Sequence, residues 1–245
     1  MDVTLEKGER IEDLQCKGLK IIQNKNYYTF TSDSVILANF INLKKDDFAI
    51  EIGTGCGVIS VLLSAKVDFK KIVAFELQDK MAHLAEKNVI LNDLQDKIQI
   101  ISDDAKNFKD YIDGYADVVF SNPPYMHEGS LNKNDVKSIA RHDSTLPLAD
   151  LCKIACQMLK FGGKFYMTFP ASRCAEAIHT LIENGLEPKR MFFTENNKRE
   201  IKLIVIEAVK GARHGVKVLP NLVTNDIDGQ YLKILQTKYF LKNEK

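Results

Sequence analysis

Short apolar runs recur through the middle of the chain at 47–53 (DFAIEIG), 71–77 (KIVAFEL), 97–102 (KIQIIS), 116–121 (ADVVFS) and 163–170 (GKFYMTFP). Each is rich in β-branched or aromatic residues and bounded by charged or turn-forming ones, which predicts a short, largely buried strand. The stretches between them, at about 57–65, 79–92, 104–112 and 147–160, have helix-like patterning. In 79–92, Met81, Leu84, Ala85, Val89 and Leu91 fall near helical spacing with Lys and Glu interleaved. Strands alternating with helices at this spacing predict an α/β fold, a mostly parallel sheet with helices on both faces.

After residue 170 the pattern shifts. A helix over about 172–184 ends at Asn184-Gly185, a favourable C-cap. Two apolar runs, 189–194 (KRMFFT) and 199–209 (REIKLIVIEAV), follow with only a short polar loop between them. Such neighbours pair antiparallel, so the sheet is expected to acquire one reversed strand. At the other end, a helix is expected near 34–42, with Asp33 or Ser32 as its cap. With no internal repeat, low-complexity tract or Pro/Gly/Ser-rich linker, 1–245 reads as one domain: a lead-in (1–46), a core (47–210) and a C-terminal segment (211–245).

Composition narrows the class without naming a chemistry. Hydrophobic residues make up 45% and charged residues 27%, ordinary for a globular protein. No apolar run approaches the roughly 20 residues that span a bilayer, and MDVTLEKGER lacks the apolar region of an export signal. The five cysteines (16, 56, 152, 156, 174) are odd in number and set no disulfide pattern. Cys152 and Cys156 are i, i+4 with no matching Cys/His pair nearby, so buried thiols, no metal and a reduced, cytoplasmic location are expected. A net charge of +1 argues against a bulk polyanion binder. The charge is nonetheless uneven. Residues 187–217 carry eight Lys/Arg against four Glu, and 68–117 carry seven Lys against eleven acids. That asymmetry predicts one basic face turned to a nucleic acid.

The candidate chemistry sits where the predicted strands end. Residues 51–57 (EIGTGCG) carry glycines at 53, 55 and 57, which let the backbone turn sharply and approach a ligand. Val58 stands where a dinucleotide-binding G-x-G-x-x-G requires its third glycine, and Glu51 precedes the loop. A carboxylate there suits a cationic ligand better than a pyrophosphate. Glu76, followed by Leu77, ends the second strand about 20 residues on, where an acid can accept both hydroxyls of a ribose. Asp103-Asp104-Ala105 ends the third strand, where a carboxylate can meet an adenine edge; Asp104 is the first choice and Asp103 the second. The fourth run breaks into Ser121-Asn122-Pro123-Pro124-Tyr125. Two prolines cannot continue a strand, since each lacks an N–H and has a fixed φ, so a rigid elbow juts into the same crevice.

With this elbow after this strand and glycine loop, the chain resembles the class I S-adenosylmethionine-dependent methyltransferases. NPPY is similar to their motif for methylating amines conjugated to a ring or carbonyl. The resemblance implies a Rossmann-like, seven-stranded sheet with one antiparallel strand, and S-adenosylmethionine as cofactor. It also implies a catalytic elbow of Asn122, Pro123, Pro124 and Tyr125. The Asn side-chain oxygen and the first Pro carbonyl would accept the two amine hydrogens, aiming the nitrogen lone pair at the methyl, while Tyr125 stacks on the flipped base. Glu51, Gly53, Gly55 and Gly57 would surround the methionine part, Glu76 the ribose, and Asp104, with Asp103 as second choice, the adenine; Leu77 and Ala105 would also be cofactor-binding. Asn122 would also reach the cofactor.

The lead-in refines the resemblance. LQCKGLKIIQNKNYYTFTSDSVILANF is similar to the corresponding part of the bacterial tRNA(Val) adenine N6-methyltransferases, which modify the adenine beside the anticodon; Gln23, Tyr28, Phe30, Ser32, Asp33, Leu37 and Ala38 carry the match. It continues through Ala140-Arg141-His142 and, more loosely, into DGQYLKILQTKYFL. It implies that Asp33 approaches the cofactor, and that Arg141 and His142 bind RNA phosphate, order a lid or form an ion pair. Lys17, Lys20, Lys25, Lys198 and Arg199 are candidate contacts to a structured RNA, most simply tRNA. Glutamine N5-methyltransferases share the tetrapeptide but usually place a larger helical domain before the glycine loop. A non-catalytic cofactor-binding RNA chaperone would not need an intact NPPY. DNA adenine methyltransferases normally add a target-recognition domain, and only about 20 residues separate Tyr125 from Pro147, too few to read a duplex.

Overall fold

The computed structural model describes residues 3–27, 29–123, 146–196 and 198–224. The chain opens with a hairpin, β1 (Glu9–Asp13) and β2 (Lys20–Asn24), followed by helix α1 (Ser32–Phe40). Alternation follows: β3 (Phe48–Ile52), α2 (Val58–Ser64), β4 (Lys71–Glu76), α3 (Asp79–Leu91) and β5 (Ile98–Ser102). A 3-10 helix (Ala105–Asp110), β6 (Ala116–Ser121), α4 (Leu148–Met158) and β7 (Leu159–Pro170) come next. The described chain ends with α5 (Cys174–Glu183), β8 (Leu186–Glu195), β9 (Ile201–Lys210) and the two-residue strands β10 (Lys217–Val218) and β11 (Leu222–Val223).

The main sheet runs β10-β8-β9-β7-β6-β3-β4-β5, with β11 also on β8. Its seven long strands are those expected, and β9 alone runs against its neighbours β7 and β8. The result is a Rossmann-like, mostly parallel α/β sheet. Strand order departs in opposite directions from β3 and β6, so the topological switch point, where ligands of open α/β sheets bind, lies at the carboxyl ends of those two strands.

Alternation along each strand divides the core. In β6, Val118 and Phe120 join Phe40, Val61 and Tyr166 on one face, while Val119 joins Leu151, Phe165 and Leu181 on the other. Helices α1 to α3 cover the first face; α4, α5 and the 3-10 helix cover the second.

Several boundaries differ from the sequence reading. Helix α1 takes in both Ser32 and Asp33, and its N-cap is Thr31, in extended conformation, with no side-chain cap bond. Asp33 instead sits in the first turn, where the helix dipole favours an acid. The predicted helix over 104–112 is only a 3-10 segment, capped by Asp104 accepting from the Lys106 N–H. The seventh strand starts at Leu159, directly after α4, and its register with β6 shifts between Ala116 and Val118. This bulge requires Gly163: a Cβ there would lie 2.9 Å from the Lys160 carbonyl oxygen. The lead-in hairpin has no counterpart in the sequence reading. Among the five cysteines, none of which is disulfide-bonded, Cys56 and Cys152 are buried, whereas Cys16, Cys156 and Cys174 are only half-buried.

Candidate active site at the carboxyl ends of β3, β4 and β6

Glu51 lies near the end of β3 with its carboxylate turned into the glycine loop, where the Thr54 hydroxyl (2.8 Å) and the Ser60 hydroxyl (2.5 Å) both donate to Oε2. Its side chain is buried. Burial pushes its carboxyl up to about 7, against the two hydroxyl bonds, and the nearby Glu76 adds to the rise. The loop's three glycines all have positive φ. Gly57 does most to fix its shape: it is the left-handed N-cap of α2, and a Cβ there would sit 3.4 Å from that of Ala85 on α3. At Gly53 a Cβ would meet no atom within 4 Å, so the loop backbone borders open space.

Glu76 closes β4 and faces the same loop. Its Oε2 accepts from the Gly55 N–H (2.8 Å) and its Oε1 from the Gln78 N–H (3.0 Å). Burial raises its pKa, opposed by the backbone N–H groups. The Leu77 N–H also donates to this carboxylate, whose remaining lone-pair capacity can take a further donor. Leu77, next in line, is 52% exposed, an uncovered apolar side chain at the rim. Asp103 and Asp104 follow β5. The Tyr111 hydroxyl, first, then the Asp104 N–H and Asn107 amide hold the Asp103 carboxyl below the usual carboxylate range. Asp104 caps the 3-10 helix, and Ala105 is buried beneath it.

The end of β6 is tied to the end of β3, because the Ser121 hydroxyl donates to the Ile52 carbonyl at 2.8 Å. Asn122 follows at once. Its Nδ2 donates to Ser34 Oγ at 2.9 Å, and its Oδ1 accepts from the Thr168 hydroxyl at 2.5 Å. Helix α1 and strand β7 therefore both grip this amide. Asp33, beside Ser34, lies on the same turn of α1. Pro123 is half-buried. Pro124, Tyr125, Arg141 and His142 lie outside the described residues, as do Tyr28 and the closing 228–241 stretch.

Sequence reasoning passed over Ser34, Thr168 and Ser121. A detectable signal was Thr168, a hydroxyl within the otherwise apolar run FYMTFP. Gln23, noted in the lead-in, is buried; its Oε1 accepts from the Phe30 N–H at 3.1 Å, fixing the approach to α1.

The basic candidates do not gather in one place. The turn between β8 and β9 lies at the site end of the sheet, since β8 runs with the parallel strands, and it carries the exposed Lys198 and Arg199. Lys210, at the opposite end, donates to the Cys156 and Leu159 carbonyls, and Lys189 donates to the Arg213 carbonyl near that end. The charge surplus of 187–217 is thus split between two ends of the sheet rather than presented on one face. Lys17 and Lys20 lie by the C-termini of α2 and α3, away from the glycine loop: Lys17 Nζ donates to the Ala65 carbonyl, and the backbone of Lys20 is held by Asn92. Lys25, beyond the other end of β2, is exposed. Among the described residues there is no group of three or more His, Cys, Asp or Glu that could hold a metal ion, and no helix is long and apolar enough to cross a membrane.

Residues 29–169 match the methyltransferase small domain family. A tRNA1(Val) (adenine(37)-N6)-methyltransferase from Bacteroides thetaiotaomicron is 29% identical over 82% of this chain and 90% of its own length. A protein of the same name from Dyadobacter fermentans is 25% identical over 87% of this chain and 89% of its own. Among solved structures, a predicted O-methyltransferase from Agrobacterium tumefaciens superposes with a TM-score of 0.63 at 16% identity, covering 82% of this chain and 94% of that one.

Proposed function

Because the chain belongs to the methyltransferase small domain family, we propose that it methylates the exocyclic N6 amine of an adenine in tRNA, the adenine beside the anticodon of tRNA-Val, with S-adenosylmethionine as donor. Two curated relatives named for that reaction, each aligned over more than four-fifths of this chain, support the substrate. The observation that carries the chemistry is the junction of β3 and β6, where the Ser121–Ile52 bond sets Asn122 beside the glycine loop.

The residues fit the cofactor. The acids Glu51 and Glu76 border the loop whose backbone faces open space at Gly53, a surrounding suited to a cationic ligand with a diol. Glu76 would take the ribose hydroxyls, Leu77 and Ala105 the faces of the adenine, and Asp104 or Asp103 its edge. When bound, S-adenosylmethionine supplies a methyl group activated on a sulfonium. The chain's own task is to prepare the acceptor. An adenine N6 lone pair is delocalised into the ring, and Asn122 Oδ1 with the Pro123 carbonyl can accept its two hydrogens, leaving the lone pair directed at the methyl. This is preorganised position and charge. Lys198 and Arg199, at the site end, would meet RNA phosphate, as would Lys25.

Full-length protein incubated with total tRNA and S-adenosylmethionine should yield N6-methyladenosine in digested nucleosides by mass spectrometry. Asn122→Ala should lower that yield by orders of magnitude while changing cofactor affinity far less. Glu76→Ala should do the reverse. Loss of hydrogen bonds to a charged group costs roughly 1.5–3 kcal/mol, so calorimetry should read at least about a tenfold weaker Kd for the cofactor. Methylation of a release-factor glutamine instead of tRNA would overturn the RNA reading.

A further inference from the structure

The Asn122 amide is held from two sides by hydroxyls on elements far apart in sequence. Ser34, 5% exposed on α1, faces its Nδ2 at 2.9 Å. Thr168, fully buried on β7, donates to its Oδ1 at 2.5 Å. Strand β7 lies directly beside β6, with Met167 opposite Ser121, so Thr168 reaches Asn122 across adjacent strands. The torsion that turns an Asn amide about its Cβ–Cγ bond is broad and nearly two-fold, so the strand alone does not fix which end faces a substrate. The two ends have opposite effects here. Oxygen toward an incoming amine accepts its hydrogen; the NH2 group in its place sets donor against donor.

Resting on the amine-activation reading above, we propose that Ser34 and Thr168 are positioning residues that clamp the Asn122 amide as a hydrogen acceptor for the target amine. Ser34 accepts from Nδ2 on the α1 side, so the two hydroxyls hold the plane of the amide between α1 and β7. Neither hydroxyl touches the reacting atoms. Their contribution is angular, and misplacing a reacting group by about 1 Å can cost on the order of 100-fold in rate.

The test is steady-state methyl transfer from labelled S-adenosylmethionine to total tRNA by the full-length chain. Thr168→Val keeps the shape of the side chain and removes the donor. Its kcat should fall on the order of 10- to 100-fold, with KM for tRNA and Kd for S-adenosylmethionine within about twofold of wild type, and Thr168→Ser should restore most of the rate. Ser34→Ala should act in the same direction, and it carries the test if Thr168→Val does not fold. A merely structural role is separated by a cycle. In an Asn122→Ala background, Thr168→Val should lower kcat no further, because there is no amide left to orient. Near-normal turnover in both Thr168→Val and Ser34→Ala, beside an inactive Asn122→Ala, would overturn the clamp alone. So would an equal loss of rate in both backgrounds. Near-normal turnover in Asn122→Ala itself would overturn amine activation, and the clamp with it.

Discussion

The central sheet and the N-terminal hairpin are attached to the same molecule by different physics. Strands β3, β6 and β7 are held by apolar side chains on both faces, with Ile50, Val119, Phe120 and Phe165 fully buried. The hairpin also buries Ile21 and Ile22, but its backbone is docked by amides. On α3, Asn88 Oδ1 accepts from the Ile22 N–H and its Nδ2 donates to the Ile22 carbonyl; one turn later, Asn92 treats Lys20 in the same way. Two side chains at i, i+4 thus meet alternate residues of β2, as a neighbouring strand would. Asn88 Nδ2 also donates to the Cys56 carbonyl in the glycine loop, so the hairpin and the candidate site share one side chain. The ammonium of Lys87 meets Glu9 at 2.5 Å beside them. A sheet core can be specified by the period of its apolar residues. A docked edge needs particular polar groups at particular places.

The comparison breaks most visibly at Phe165, which lies in the apolar cluster under α4 and α5. Phe165→Ala removes a fully buried ring, and such truncations cost about 3–5 kcal/mol. Urea unfolding should show a lower midpoint for the whole transition. A hairpin that melted separately while the core kept its midpoint would contradict the assignment of stability to the sheet.

Glu51 is a buried acid in this largely apolar region and predicts an effect of opposite sign. Its carboxyl is pushed up to about 7 in the fold from an ordinary 4.5, chiefly by burial. The native state therefore holds the proton more tightly than the unfolded chain. The group's contribution to stability is fully present below about 4.5 and is lost as pH rises through about 7; the difference amounts to about 3 kcal/mol. Glu51→Gln keeps an oxygen for the Thr54 and Ser60 hydroxyls and discards the charge. It should stabilise the cofactor-free protein at pH 8 by about that amount, make no difference near pH 4, and flatten the stability profile between. An unchanged profile by denaturant titration at several pH values would show that the carboxylate is hydrated rather than buried.

This contrast also explains what could be read in the sequence. The run 116–121 became β6 (Ala116–Ser121), and 71–77 and 97–102 were each within a residue of β4 and β5 at both ends, because burial on both faces writes a continuous apolar signal. The acids and glycines of the candidate site could be located for the same reason: they sit where those runs stop. Ser34 and Thr168 escaped because a lone hydroxyl carries no period. The hairpin escaped because Asn88 and Asn92 read as the solvated face of an amphipathic helix, although Asn88 is fully buried. Local charge counts failed at 187–217 for a topological reason: an antiparallel pair sends the middle of one sequence stretch to one end of the sheet and both of its flanks to the other.

Asn88→Ala attacks the hairpin at its buried point. It leaves the Ile22 N–H and carbonyl and the Cys56 carbonyl without their partner, and an unsatisfied buried polar group costs about 1–3 kcal/mol. A total of about 2 kcal/mol is expected, since relaxation of the hairpin lets water reach some of these groups. Hydrogen exchange should speed up at the Ile22 amide well before the amides of β6 respond. Equal acceleration in both would mean that the hairpin and the sheet open as one unit.

Asn92→Ala should have the smallest effect, and it shows how the amide pair works. Asn92 is half-buried, and the Lys20 N–H and carbonyl that it serves lie nearer to water than those of Ile22. Solvent can replace its bonds, so the loss should be about 1 kcal/mol or less, the net worth of an ordinary hydrogen bond. The informative measurement is the double variant. If each amide holds its own residue of β2 independently, the Asn88→Ala and Asn92→Ala losses should add within about 0.5 kcal/mol. If the two act as one edge, Asn88→Ala already releases β2, and Asn92→Ala then costs almost nothing more. The geometry favours the second outcome. Ile22 and Lys20 are adjacent on the same side of one short strand, and a strand of five residues (Lys20–Asn24) has little length over which to detach at one bond and stay docked at the next. A coupling free energy near zero from the four urea curves would instead assign the hairpin's attachment to the burial of Ile21 and Ile22, with the amides merely satisfying a backbone that hydrophobic contact had already placed.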